Sequence, residues 1–120
     1  MRAAWYEYLG PAADVLTVGN TETPSPAQGE VLVRVAASGI NPSDTKKRAG
    51  WLGGRLEYPR IIPHSDGAGT IEAVGEGVAS IRVGERVWLY NVQHGRADGG
   101  HPWHGVGDDA LLSQRVSDCH

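Results

Sequence analysis

Glu30-Val31-Leu32-Val33-Arg34-Val35-Ala36-Ala37 alternates so that Val31, Val33 and Val35 share one face while Leu32 and Arg34 share the other, the two-residue period of a half-buried strand. Downstream, Ala68 to Val74 and Arg86 to Tyr90 are the strongest further strands, joined through Gly75-Glu76-Gly77 and the turn Val83-Gly84-Glu85. Upstream, Ala3 to Tyr8 and Val15 to Val18 read as short strands around the turn signal Gly10-Pro11, and a polar, proline-broken stretch runs from Gly19 to Gly29. Strand follows strand without the long intervening helices of a βαβ unit. The expected fold is therefore mainly β, a partly open antiparallel barrel.

One helix interrupts the pattern. In Asn41-Pro42-Ser43-Asp44 the asparagine suits the N-cap, the proline the first helical position, and the aspartate the positive end of the helix dipole, which predicts a short helix near residues 42–49. Gly50, Gly53 and Gly54 end it in a loop. Tyr58-Pro59 and Ile62-Pro63 then favour extended backbone, because residues before proline avoid the helical region. The expectation is an exposed loop.

Composition narrows the class. A chain of 120 residues fits one domain, and with 17 glycines, 7 prolines and no phenylalanine its core falls to aliphatic residues, tryptophan and tyrosine. The formal net charge is −3 and the basic residues are scattered, which argues against nucleic acid as a partner. Cys119 is the single cysteine, so neither an internal disulfide nor a thiolate cluster forms within one chain. No apolar run has the length of a signal peptide core or a membrane span. A soluble chain in the reducing cytoplasm, with no membrane partner, is the expectation.

Gly39-Ile40-Asn41-Pro42-Ser43-Asp44, followed by Pro63-His64-Ser65-Asp66-Gly67-Ala68-Gly69-Thr70-Ile71-Glu72-Ala73-Val74-Gly75-Glu76-Gly77, resembles the N-terminal, GroES-like domain of the medium-chain alcohol dehydrogenase superfamily. The resemblance is closer to its zinc-independent branch, the quinone oxidoreductases of the zeta-crystallin type. It implies a GroES-like, partly open antiparallel β-barrel over residues 1–97, and it leaves residues 98–120 as a divergent, irregular tail. Family members continue with a strand that helps close the barrel and then with a Rossmann domain that binds NADPH. By that resemblance the chain is the substrate-side domain of such an oxidoreductase, truncated before the Rossmann domain or disrupted in frame, and inactive alone.

In zinc-dependent relatives a cysteine stands where this chain has Asn41, a serine or threonine where it has Ser43, and an aspartate where it has Asp44. Their ligand histidine corresponds to Ser65 and the following glutamate to Asp66, while His64 falls one place too early. Catalytic zinc needs three protein ligands, and a lone cysteine cannot supply the four-cysteine structural site. The expectation is no zinc. The resemblance implies instead hydride transfer from NADPH to a quinone or enone, with Asn41, Ser43, Lys46 and Arg48 facing nicotinamide and substrate and Ser65 and Asp66 beside them. Relatives usually carry a tyrosine where Lys46 stands.

Plainer readings stand next to these. Asn41 and Asp44 fit helix capping, Ser65 and Asp66 a turn before a strand, and Lys46, Lys47 and Arg48 a solvated helix face. Gly67-Ala68-Gly69 and Gly75-Glu76-Gly77 lack the third glycine of a dinucleotide fingerprint and read as turn or packing glycines. His94, His101, His104, Cys119 and His120 match no metal-ligand frame. Two alternatives remain at this point: a stand-alone binding module that docks a protein, or its own copy as a homodimer, around Trp51 and Leu52, and one half of a split oxidoreductase completed by a separate Rossmann-domain chain.

Overall fold

The computed structural model describes residues 1–51, 53–56, 58–90 and 111–115. Strands β1 (Arg2–Trp5) and β2 (Thr17–Asn20) form an antiparallel pair, with Ala3 opposite Gly19 and Trp5 opposite Thr17. Between them Ala12–Val15 makes one helical turn, α1, in which Leu16 N–H donates to the Ala12 carbonyl. This corrects the expected strand start at Val15. Pro11 has the φ of −62° and extended ψ of a helix-flanking residue, and the alanines that follow are good helix formers.

The main sheet has the order β5-β4-β3-β6, where β3 is Glu30–Gly39, β4 Asp66–Val74, β5 Arg86–Leu89 and β6 Leu111–Arg115. All its pairings are antiparallel. Helix α2 (Pro42–Arg48) and a 3₁₀ turn at Ser80–Arg82 complete the elements among the described residues. The mainly β, antiparallel architecture is the expected one, and among the described residues the two sheets stay open rather than closing into a barrel.

Strand β6 corrects the expectation of an irregular stretch over 98–120, because Leu111–Arg115 pairs with Glu30–Arg34 of β3. Without β6 the β3 edge opposite β4 would carry unpaired backbone groups, and pairing satisfies them. Leu52, Trp103, His94, His101, His104, Cys119 and His120 lie outside the described residues.

Val31, Val33, Val35, Ile71, Val87 and Leu89 form the core cluster, with Val74 and Val78 packed against it. Leu32 is buried as well, so the first half of β3 is buried on both faces rather than on one. Register shifts interrupt the β3–β4 ladder between Leu32 and Val33 and between Val35 and Ala37. Ile71 is 1% exposed, and Ile71→Val is expected to cost about 1 kcal/mol of stability by urea denaturation, the usual loss for one buried methyl group. An unchanged midpoint would mean that the cluster is not the cooperative core.

The segment after α2 is not wholly exposed. Tyr6 and Ile61 exchange two backbone hydrogen bonds of 2.9 Å, and Tyr6 and Ile62 are both buried. This bridge ties the segment that leads into β4 to the first strand, and so fixes the approach to the site described next.

Candidate functional site

The upper ends of β3 and β4 meet where Gly39 pairs with Asp66. At this point the chain leaves β3, enters α2 through Asn41, and later returns through Pro63, His64 and Ser65 into β4. Four segments thus converge on a few polar side chains.

Asp44 is the hub. Its side chain is buried, with 5% of the residue exposed, and its Oδ2 accepts the Asn41 N–H at 2.7 Å while Oδ1 accepts the His64 N–H at 3.2 Å. The first bond is half of a capping box, in which the side chain at the third helical position reaches back to the N-cap. The second bond joins the start of α2 to the loop before β4. Burying a carboxylate is costly unless it is hydrogen-bonded, and here two otherwise orphaned backbone donors supply the bonds.

Asn41 takes extended backbone at the N-cap, φ −115° and ψ 155°. Its Nδ2 donates to Asp66 Oδ2 at 2.9 Å. The asparagine of the first motif and the aspartate of the second are thus bonded to one another. His64 has φ +83°, the one non-glycine residue with positive φ among the described residues, and its Nδ1 is hydrogen-bonded to Ser38 Oγ near the end of β3. Among the described residues no group of three His, Cys, Asp or Glu side chains is placed to hold a metal ion.

The structure brings Asn41, Ser65 and Asp66 together at this junction, and Ser43 sits half-buried in the first turn of α2. Lys46 and Arg48 are directed elsewhere. Lys46 Nζ lies 5.6 Å from the centre of the exposed Trp51 ring. Arg48 Nε donates to the Gly10 carbonyl at 3.2 Å, while Gly10 N–H donates to the Arg48 carbonyl at 2.9 Å, so Arg48 pins the first loop to α2. Ser38, Asp44 and His64 join the site without having been singled out for it. The Asn-to-Asp spacing of a capping box was the readable signal for Asp44, His64 stood in the second motif but one place before the ligand position, and Ser38 carried none.

The sequence profile of the alcohol dehydrogenase GroES-like domain matches residues 27–108. The chain belongs to that family. The match covers α2, β3, β4 and β5, and it extends past residue 97, where the likeness was expected to stop. The GroES-like domain is 36% identical over 91 residues to the quinone oxidoreductase of Rattus norvegicus, an alignment that covers 75% of this chain and 27% of that protein. It superposes on the crystal structure of the human synaptic vesicle membrane protein VAT-1 homolog-like protein with a TM-score of 0.78 and 25% identity, over 100% of this chain and 34% of that one. The Escherichia coli quinone oxidoreductase, crystallised with NADPH, shares the fold with a TM-score of 0.76 at 22% identity, over 100% of this chain and 32% of that one. The chain thus spans about a third or less of the relatives it matches.

No helix among the described residues is long and apolar enough to cross a membrane.

Proposed function

We propose that this GroES-like domain is the substrate-side part of a zinc-independent oxidoreductase that transfers hydride from NADPH to a quinone or enone. The observation that carries the reading is the Asn41–Asp66 bond at the β3–β4 junction. A carboxamide has two N–H donors. Asp66 holds one and so orients the other for a carbonyl oxygen, which is the group that gains charge when hydride adds to a quinone or enone.

The same bond supports a reaction without zinc. Asn41 and Ser65 stand where zinc-dependent relatives have their cysteine and histidine ligands, and neither a carboxamide nor a hydroxyl is a usual zinc ligand. For NADPH, the described glycines fit poorly with a dinucleotide grip. Gly69 and Gly75 pack against backbone and Gly77 turns a loop, none opening a helix. The cofactor would be held by a Rossmann domain, in the same polypeptide or on a separate chain, and the GroES-like domain alone would bind it weakly and turn over little. A cytoplasmic setting suits a NADPH-linked enzyme with one cysteine.

The test replaces the matching N-terminal segment of the rat quinone oxidoreductase with this chain. The hybrid is expected to reduce quinones with NADPH and to be insensitive to chelators, and Asn41→Ala is expected to lower kcat/KM about 10²-fold, the usual loss for one oriented donor. A folded hybrid with no quinone reductase activity, or activity abolished by chelation and restored by zinc, would reject the proposal.

A further inference from the structure

We propose that His64 and Ser38 form a proton-donating pair for the substrate oxygen, an inference that rests on the oxidoreductase reading above. Hydride addition to a quinone or enone leaves an electron pair on the carbonyl oxygen, and one proton is needed to complete the product. Of the three cations in the last turn of α2, Lys46 lies by Trp51 and Arg48 donates to Gly10. Among the described residues, His64 is the imidazole that the fold brings to the junction.

Three observations place it there. His64 and Asn41 donate their backbone N–H groups to the two oxygens of the same Asp44 carboxylate, which makes them neighbours across the site. His64 keeps a left-handed backbone, φ +83°, which is uncommon outside glycine. Its Nδ1 is occupied by Ser38 Oγ, and no hydrogen bond engages Nε2 among the described residues. Bonding of one ring nitrogen decides the chemistry of the other. With Nδ1–H donating to Ser38, Nε2 is the nitrogen that gains and loses the proton.

In the step, the Nε2–H bond of the imidazolium breaks, an O–H bond forms on the substrate oxygen, and the electron pair stays on Nε2. Nδ1–H remains bonded to Ser38, and Nε2 is reprotonated from solvent. Among the described residues, Asp44 of α2 accepts the His64 backbone N–H, Asp66 stands two residues further on in β4, and β3 contributes the neutral Ser38.

Two measurements test the pair. In the 120-residue chain, proton–nitrogen correlation spectra of the imidazole are expected to show the Nδ1–H tautomer when neutral, and Ser38→Ala is expected to shift it toward Nε2–H; an Nε2–H tautomer in the parent chain would overturn the proposal. In the hybrid enzyme, His64→Asn keeps a residue that tolerates the left-handed backbone but cannot donate a proton from an imidazolium. It is expected to lower kcat about 10²-fold, with KM little changed, and to remove one limb of the pH–rate profile. An active hybrid whose His64→Asn variant retains the parent profile would reject this inference and leave the oxidoreductase reading intact. A folded but inactive parent hybrid would reject that reading, and the tautomer would still decide whether Ser38 and His64 are paired as described.

Discussion

Gly75→Ala is expected to lower the melting temperature of this domain by more than about 10 °C, from a loss of about 3 kcal/mol. A Cβ built on Gly75 would lie 1.9 Å from the Ala27 carbonyl oxygen and 3.1 Å from the Glu30 carbonyl oxygen. Both obstacles are backbone, which cannot swing aside as a side-chain tip does. Gly75 N–H also donates to the Glu30 carbonyl at 2.8 Å, and Gly29 N–H to the Glu76 carbonyl at 2.8 Å, so moving either strand breaks the bonds that close the start of β3 onto the end of β4. Gly77→Ala is the control. Gly77 has φ +82° with nothing within 4 Å of an added Cβ, so its cost is only the left-handed backbone, about 1 kcal/mol. Calorimetry of the two variants side by side checks the contrast, and equal losses would mean that the close approach at Ala27 is relieved in solution.

Asp44→Ala is expected to destabilise the domain by about 3 kcal/mol, since it strands the N–H groups of Asn41 and His64 in a buried place. Asp44→Asn should lose about half as much, because one amide oxygen still accepts one of the two donors while the NH₂ group faces the other. Urea denaturation measures both, and amide exchange at Asn41 and His64 should accelerate in step with the loss. If Asp44→Ala were as stable as the parent, water would have to replace the carboxylate, and the junction would be far more open than its burial indicates.

Local chemistry made much of this protein readable. The alternation in β3, the glycine turns and the missing long helices pointed to antiparallel β structure, and Asn41-Pro42-Ser43-Asp44 announced α2 to within a residue of its observed end at Arg48. Such features depend on neighbours a few positions away, so spacing alone carries them. The first hairpin was less legible. Its strands do pair, but Val15 belongs to a helical turn, since alanines after proline have a helical preference that a four-residue apolar run does not reveal.

In the candidate site, Asn41 and Asp66 were visible as residues at motif positions, and Arg48 looked equally suitable. Only the fold separates them: Asp66 meets Asn41 across 25 residues, and Arg48 is drawn to Gly10 across 38. A charged side chain on a short helix has several faces open to it, and what each face meets depends on distant chain segments.

By itself the sequence determined the class of fold and the place of the longer helix among the described residues, because strand period, capping and turn chemistry are short-range, and the resemblance of its two motifs pointed to the family. Only the tertiary structure decided that Gly75 is a contact and Gly77 a turn, that Leu111–Arg115 completes the β3 edge, and that Asp44 holds Asn41 and His64 on one carboxylate. Each of these depends on which atoms arrive from far along the chain, and no local spacing encodes that.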